Sequence, residues 1–263
     1  MKIIFISDIV GEPGRDVLKH VLSDLVKNIK FDFIIANAEN AAGGKGITKS
    51  VADEIFSTGV NVITLGNHTW ERKEIEQIID DPRILRPANY PEGDPGKGWN
   101  IYTISDNIKI AVINLMGRVY MPLLDCPFRT ADKIIKSLNY ETKNIFVDFH
   151  AEITSEKQAM GWYLDGRVSA VVGTHTHVQT NDAKVLDNGT AYLTDCGMCG
   201  SADGIIGMDR EIIIKKYLTS IPYKFNIAKG DMIFNACIID IDNISGKSLS
   251  IEPINIHIKK DKI

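Results

Sequence analysis

The stretch AVVGTHTH, residues 170–177, holds two signals in eight residues: a run of small and branched apolar side chains, then a glycine turn carrying two histidines. Near-continuous apolarity without alternation is what a strand covered on both faces requires. The same pattern recurs along the chain. Apolar runs at 2–7, 31–36, 61–65, 109–114 and 144–149 read as further buried strands. Helical periodicity fills the intervals at 13–28, 51–58 and 155–164, the last opening on a capping-box spacing from Ser155 to Gln158. Alternation of strand and helix predicts an α/β fold. The final third changes character. Residues 191–194 read as a strand, and Met232–Ile241 and Ser248–Ile258 read as two more joined by a polar turn at 242–247, an antiparallel addition.

Polar residues stand at the ends of these strands. Asp8 follows IIFIS, Glu39 and Asn40 follow FIIANA, Asn67 and His68 follow VITLG, His150 follows IFVDF, and His175 and His177 follow AVVGT. Ligands of open α/β sheets bind outside the carboxyl ends of the strands, so these segments are expected to converge on one crevice. Each residue alone has an ordinary explanation: Asp8 as a helix cap, Asn67 as a turn residue, His150 as a buried histidine with a satisfied partner. Four of the six histidines share the strand-end position, whereas His20 falls within the first helix and His257 near the C-terminus, where both read as structural or solvent-facing. Imidazole combined with carboxylate and amide oxygen suits Zn, Fe, Mn, Ni or Co. Glu39 is the natural bridge between two such ions, which would clamp a hydroxide between them.

The chain has 263 residues, enough for a large core, and no linker rich in Pro, Gly or Ser divides it, so a single domain over 1–263 is expected. The formal net charge of −4 argues against a protein that coats nucleic acid. A small phosphorylated substrate stays compatible because metal ions supply positive charge locally. Lys259, Lys260 and Lys262 read as a solvated tail. The start lacks the features of a secretory signal, and four cysteines do not resemble a disulfide framework, so a cytoplasmic location is expected. No apolar run reaches the ~20 residues of a membrane span.

Other motifs carry less. Gly246-Lys247-Ser248 resembles the end of a phosphate loop, but Ile241 stands where its first glycine belongs. Gly43-Gly44-Lys45-Gly46 either lines a phosphate pocket with its amides or is a plain turn. Cys196 and Cys199 form an isolated CxxC that reads as a structural turn. Residues 86–99, RPANYPEGDPGKGW, form an ordered loop beside the site or an ordinary surface loop.

The GNH at Gly66–Asn67–His68 and the GTHTH at 173–177 resemble two signatures of the calcineurin-like metallophosphoesterases. SDIVGEPGR from Ser7, NAENAAGGKGIT from Asn37, TLGNHTW from Thr64, RPANYP from Arg86, DFHAE from Asp148 and GTHTHVQT from Gly173 resemble, in that order, the YmdB-like branch across nearly the whole chain. The resemblance implies a four-layer α/β/β/α sandwich with a dinuclear centre. Asp8, Glu39, Asn40 and His177 would hold one metal, and Glu39, Asn67, His150 and His175 the other. Two divalent first-row ions are implied, Fe or Mn ahead of Zn. His68 would be the catalytic acid, a role that suits histidine because it titrates near neutrality. Two positions depart from the wider superfamily: Val10 replaces its usual histidine and Glu39 its bridging aspartate. Asn40 then stands in for the missing imidazole.

The implied activity is hydrolysis of a small nucleotide phosphodiester, a 2′,3′-cyclic nucleotide, by attack of a metal-bridging hydroxide. The alternatives are a phosphomonoester, a 3′,5′-cyclic nucleotide or an RNA end as substrate, or a non-enzymatic regulator with structural metals. No stable nucleic-acid complex and no membrane partner are expected, and the resemblance makes a homo-oligomer reasonable.

Overall fold

Strands that are apolar on both faces need two covers, and two stacked sheets between helices supply them. The computed structural model describes residues 1–105, 107–138 and 141–262. The chain runs through β1 (Lys2–Ile6), β2 (Asp8–Ile9), α1 (Gly11–Asn28), β3 (Phe33–Asn37), α2 (Lys49–Ser57), β4 (Val62–Thr64) and β5 (Ile84–Leu85). It continues through β6 (Trp99–Ser105), β7 (Ile108–Met116), α3 (Pro127–Ser137), β8 (Ile145–His150), α4 (Thr154–Leu164), β9 (Ala170–Thr174), β10 (Lys184–Val185) and β11 (Ala191–Leu193). It closes with β12 (Met198–Ser201), α5 (Arg210–Leu218), β13 (Met232–Ile241) and β14 (Ser248–Ile258).

One sheet has the order β2-β12-β13-β1-β3-β4-β5, with β14 beside β13; the other has the order β10-β11-β9-β8-β7-β6. Parallel pairing joins β1, β3, β4 and β5 in the first and β7, β8, β9 and β11 in the second. The expected antiparallel addition is the β13–β14 hairpin, whose first strand also pairs antiparallel with β1.

The period of two along β1 explains the layers. Ile4 and Ile6 point to a core shared with Val17, Leu18 and Leu22 of α1 and Ala52 and Ile55 of α2. Ile3 and Phe5 point the other way, into a core shared with Val112 of β7, Phe146 of β8 and Val172 of β9. The Phe5 and Phe146 rings meet there at 4.9 Å. A third core lies beyond the second sheet, where Val147 and Phe149 pack with Ala131 and Ile134 of α3 and Met160 and Leu164 of α4. Three cores separate four layers, helix, sheet, sheet, helix, as expected.

Two local readings change. Helix α4 begins at Thr154 with Ile153 at its N-cap and no side-chain cap bond, so Ser155 is not a capping residue. The carboxylate one residue on is used elsewhere, since Glu156 accepts the amides of Arg118 and Val119. The segment 99–105 also forms β6, antiparallel to β7.

Asn114 ties the sheets together. It is fully buried on β7, and its Nδ2 donates to the carbonyls of Leu65 (2.6 Å) and Leu85 (2.8 Å) on the opposite sheet. Asn114→Leu keeps the side-chain branching but strands the buried Leu65 carbonyl, while the Leu85 carbonyl still accepts the Leu65 amide, and should destabilise the protein by about 1–3 kcal/mol in urea unfolding.

Candidate metal centre

Parallel strands of both sheets end at one edge, and the polar residues beyond them meet there. Three acceptor atoms crowd one nitrogen. His150 Nε2 lies 3.1 Å from Glu39 Oε1, 3.0 Å from Asn67 Oδ1 and 3.0 Å from His175 Nδ1. A carboxylate oxygen, an amide oxygen and two imidazole nitrogens aimed at a common point form a donor set for a first-row cation. Glu39, His150 and His175 each offer an atom within 4.8 Å of the others. Asp8 and His177 form a looser second group, with Asp8 Oδ1 4.0 Å from His177 Nε2.

Two of the expected ligands carry buried atoms without partners. Asp8 Oδ1 and Asn40 Oδ1 are both buried and accept no hydrogen bond, although Asn40 Nδ2 is spent on the Gly44 carbonyl at 3.0 Å. Orphaned acceptors cost about 1–3 kcal/mol each, and a bound cation would relieve any such acceptor that it touches. The residues present therefore fit the metals that the resemblance implies.

Supporting hydrogen bonds set the imidazoles for ligation. Thr174 Oγ1 donates to Asp148 Oδ1 at 2.7 Å and so accepts from His150 Nδ1 at 2.9 Å, which leaves Nε2 facing the common point. Asp148 is itself held by Asn37 Nδ2 and Thr64 Oγ1. His177 Nδ1 donates to the Ile206 carbonyl at 3.0 Å, which turns its Nε2 toward Asp8. His175 Nε2 lies 3.0 Å from a Glu152 oxygen, which suits a proton on Nε2 and a lone pair on Nδ1.

The electrostatics agree. Burial opposes a charged imidazole at His150, yet Glu39, Asp8 and Asp148 outweigh it and raise the group to about 9. Burial likewise opposes a charged Glu39, but His150 and His68 hold it at about 2. Burial and the His150 charge push His175 down to about 3, so it stays neutral. Positive charge is wanted where the acceptors converge, with neutral imidazole beside it.

Backbone strain collects here too. Among described non-glycine residues, positive φ occurs at His175 (101°), His177 (62°), Ile206 (48°) and Tyr120 (60°), and three of these four belong to the site. Such conformations cost about 1–3 kcal/mol each and persist where the surroundings dictate them.

His68 stands apart from the four converging atoms. Its amide donates to Glu39 Oε2 at 2.9 Å, while its ring Nδ1 is buried without a hydrogen-bond partner, 3.5 Å from Glu71 Oε1. Gly66 allows this packing. A Cβ there would sit 2.4 Å from His150 Nε2 and 2.5 Å from Glu39 Oε2. Gly66→Ala should fold yet lose most bound metal, as elemental analysis of the purified variant would report.

The remaining motifs make scaffold contacts. Arg72 grips the Ala42 and Lys45 carbonyls and Arg15 the Ala41 carbonyl, so the glycine-rich turn after Asn40 is braced and presents the Gly44 carbonyl to Asn40. Arg86 donates to the carbonyls of Pro87, Asp94 and Pro95 and orders its own loop, whose Tyr90 packs edge-on against Trp70 at 5.9 Å. Burial pushes the Cys196 thiol up and the Cys199 thiol to about 12, and Cys199 Sγ donates to the Asn235 carbonyl, so the CxxC is structural, although its second half, Met198 and Cys199, lies on β12 rather than in the expected turn.

Sequence reasoning passed over Asp148, Thr174, Asp195 and Ile206. Asp195 follows the strand 191–194 as the other site residues follow theirs, and Asp148 lies two residues before His150 on the same face of β8. Both signals were legible. Nothing local marks the Ile206 carbonyl.

Comparison with known proteins shows the family. The model of the family described as YmdB-like protein matches residues 4–254. The 2′,3′-cyclic-nucleotide 2′-phosphodiesterase of Bacillus subtilis (strain 168) is 52% identical, over 98% of this chain and 97% of that protein. Among solved structures, a hypothetical protein from Thermus thermophilus superposes with a TM-score of 0.93 at 38% identity, covering 98% of this chain and 100% of that one. A novel phosphatase from Mycoplasma pneumoniae gives 0.93 at 33% identity, covering 100% of this chain and 95% of that one.

Proposed function

The chain belongs to the YmdB-like family, and on that premise we propose that it is a metal-dependent phosphodiesterase that opens nucleoside 2′,3′-cyclic phosphates at the 2′ oxygen. The observation that carries the reading is the convergence of Glu39, Asn67 and His175 on His150 Nε2. Asp8, Glu39, Asn40 and His177 would hold one divalent ion, and Glu39, Asn67, His150 and His175 the other, with Fe or Mn ahead of Zn. Bound there, the ions would acidify water and offset charge on the phosphoryl oxygens.

The protein's own groups do the rest. Glu39 would be shared between the two ions; its Oε1 faces His150 and its Oε2 is anchored by the His68 amide. Thr174, the Ile206 carbonyl and Glu152 orient the imidazoles before substrate arrives, so little reorganisation accompanies the reaction. In the overall change a water oxygen bonds to phosphorus and the P–O2′ bond breaks. His68, at the rim with its side chain 20% exposed, gives a proton to the departing ribose oxygen. The product is the nucleoside 3′-phosphate.

The cytoplasm is the compartment that fits best. Cys126, Cys196, Cys199 and Cys237 are all free thiols, as in a reducing environment. No described helix is long and apolar enough to cross a membrane.

A substrate panel with Mn or Fe supplied tests the activity. Nucleoside 2′,3′-cyclic phosphates should be opened to 3′-phosphates, faster than 3′,5′-cyclic nucleotides or phosphomonoesters. Faster turnover of either competitor would reassign the substrate, and no hydrolysis of any phosphodiester would remove the enzymatic reading.

A further inference from the structure

Lys157 lies on α4 with 1% of its surface exposed, among positions that otherwise carry apolar side chains such as Met160 and Leu164. Its ammonium is paired with the carboxylate of Asp195, which is fully buried. Burying two charges costs more than packing apolar side chains of the same volume, so cohesion alone is a poor explanation for the pair. The remaining bonds point elsewhere. Lys157 Nζ donates to the Thr174 carbonyl at 2.7 Å. Asp195 Oδ2 accepts the Thr176 amide at 3.1 Å, and Oδ1 accepts the Gly197 amide at 2.9 Å. Carbonyl 174, ammonium, carboxylate and amide 176 thus form a closed clamp around His175.

The clamp spans the strained turn that aims both histidines. His175 and His177 have φ of 101° and 62°, on either side of Thr176. A helix on the outer layer and the turn after β11 are joined through it to the turn after β9. Space for the lysine stem comes from Gly173, where an added Cβ would stand 3.1 Å from Lys157 Cδ and 1.8 Å from the Thr194 carbonyl.

We propose that the buried Lys157–Asp195 pair is a positioning device that locks the 174–176 backbone so that His175 and His177 present their ring nitrogens to the metal positions. The inference rests on the metal-centre reading given above. Neither residue touches substrate. Both act through the two histidines, and removal of the pair loosens the metals more than it loosens the fold.

Lys157→Met and the double variant Lys157→Met with Asp195→Asn separate the two effects. The single variant leaves a buried carboxylate without its partner and should lower the melting temperature. The double variant removes both charges and should recover it. Mn2+ affinity, measured by equilibrium dialysis on chelator-stripped protein, should fall on the order of tenfold or more in both. Recovery of Mn2+ affinity together with the melting temperature in the double variant would reduce the pair to a stability feature and overturn the proposal. Wild-type affinity in Lys157→Met would do the same. Failure of the wild type itself to bind Mn2+ would instead remove the metal-centre reading, and that arm is scored before any variant.

Discussion

Glu39→Gln should lower kcat/KM by about a thousandfold or more and leave the purified protein short of bound metal, because it alters the one side chain proposed to hold both ions. Glu39 is 1% exposed, so the substitution acts inside the site rather than through solvent. Its two oxygens have different tasks. Oε1 lies 3.1 Å from His150 Nε2, and Oε2 accepts the His68 amide at 2.9 Å. Glutamine matches the shape but carries no charge, and one of its two positions becomes an NH2 group. Turned toward His68, that group meets an N–H donor; turned toward His150, it withdraws the acceptor needed for the cation. Neither orientation preserves both functions. Elemental analysis and turnover should therefore fall together, and full activity in a variant with normal metal content would remove Glu39 from the bridging role.

The contrast between what was legible in the sequence and what was not follows from the range of the interactions. Buried parallel strands announce themselves locally, because both faces of β1, β3 and β9 must be apolar. A polar residue just past such a strand is conspicuous against that background, which is why Asp8, Glu39, Asn67 and His175 stand out. Their orientation was not legible. It depends on bonds between residues far apart in sequence, such as His177 Nδ1 to the Ile206 carbonyl and Thr176 N to Asp195. Main-chain carbonyls have no sequence signature at all. The Ser155–Gln158 spacing failed for the opposite reason: the local pattern was present, but α4 begins at Thr154 and its cap is Ile153, two residues before Ser155.

The fold also explains why the glycine-rich turn reads ambiguously. Gly43, Gly44 and Gly46 all have positive φ, as a phosphate cradle or a tight turn would demand. The carbonyls have an observed use, which leaves both readings of the amides open. Three of them are gripped by Arg15 and Arg72, and a fourth, that of Gly44, fixes the Asn40 amide so that Asn40 Oδ1 is left without a partner. Sequence spacing cannot distinguish a loop that offers its amides from one whose carbonyls are already engaged.

His68→Ala separates proton delivery from metal binding, and should cost about 10²–10⁴ in kcat on a nucleoside 2′,3′-cyclic phosphate while leaving metal content unchanged. Retention of the metals follows from which atoms His68 uses. Its contact with Glu39 runs through the backbone amide, which alanine keeps, whereas the ring stands outside the four atoms that converge at His150 Nε2. The size of the loss should depend on the leaving group. A ribose oxygen departs as a strongly basic alkoxide and needs a proton as the bond breaks; a p-nitrophenolate leaves without one. The ratio of wild-type to variant rates should therefore be large for the cyclic nucleotide and approach one for bis(p-nitrophenyl) phosphate. Equal losses on both substrates with metal retained would place His68 in substrate binding. A loss of metal alongside activity would make it a ligand, because the imidazole would then be holding the ion directly and no dependence on leaving-group basicity would remain.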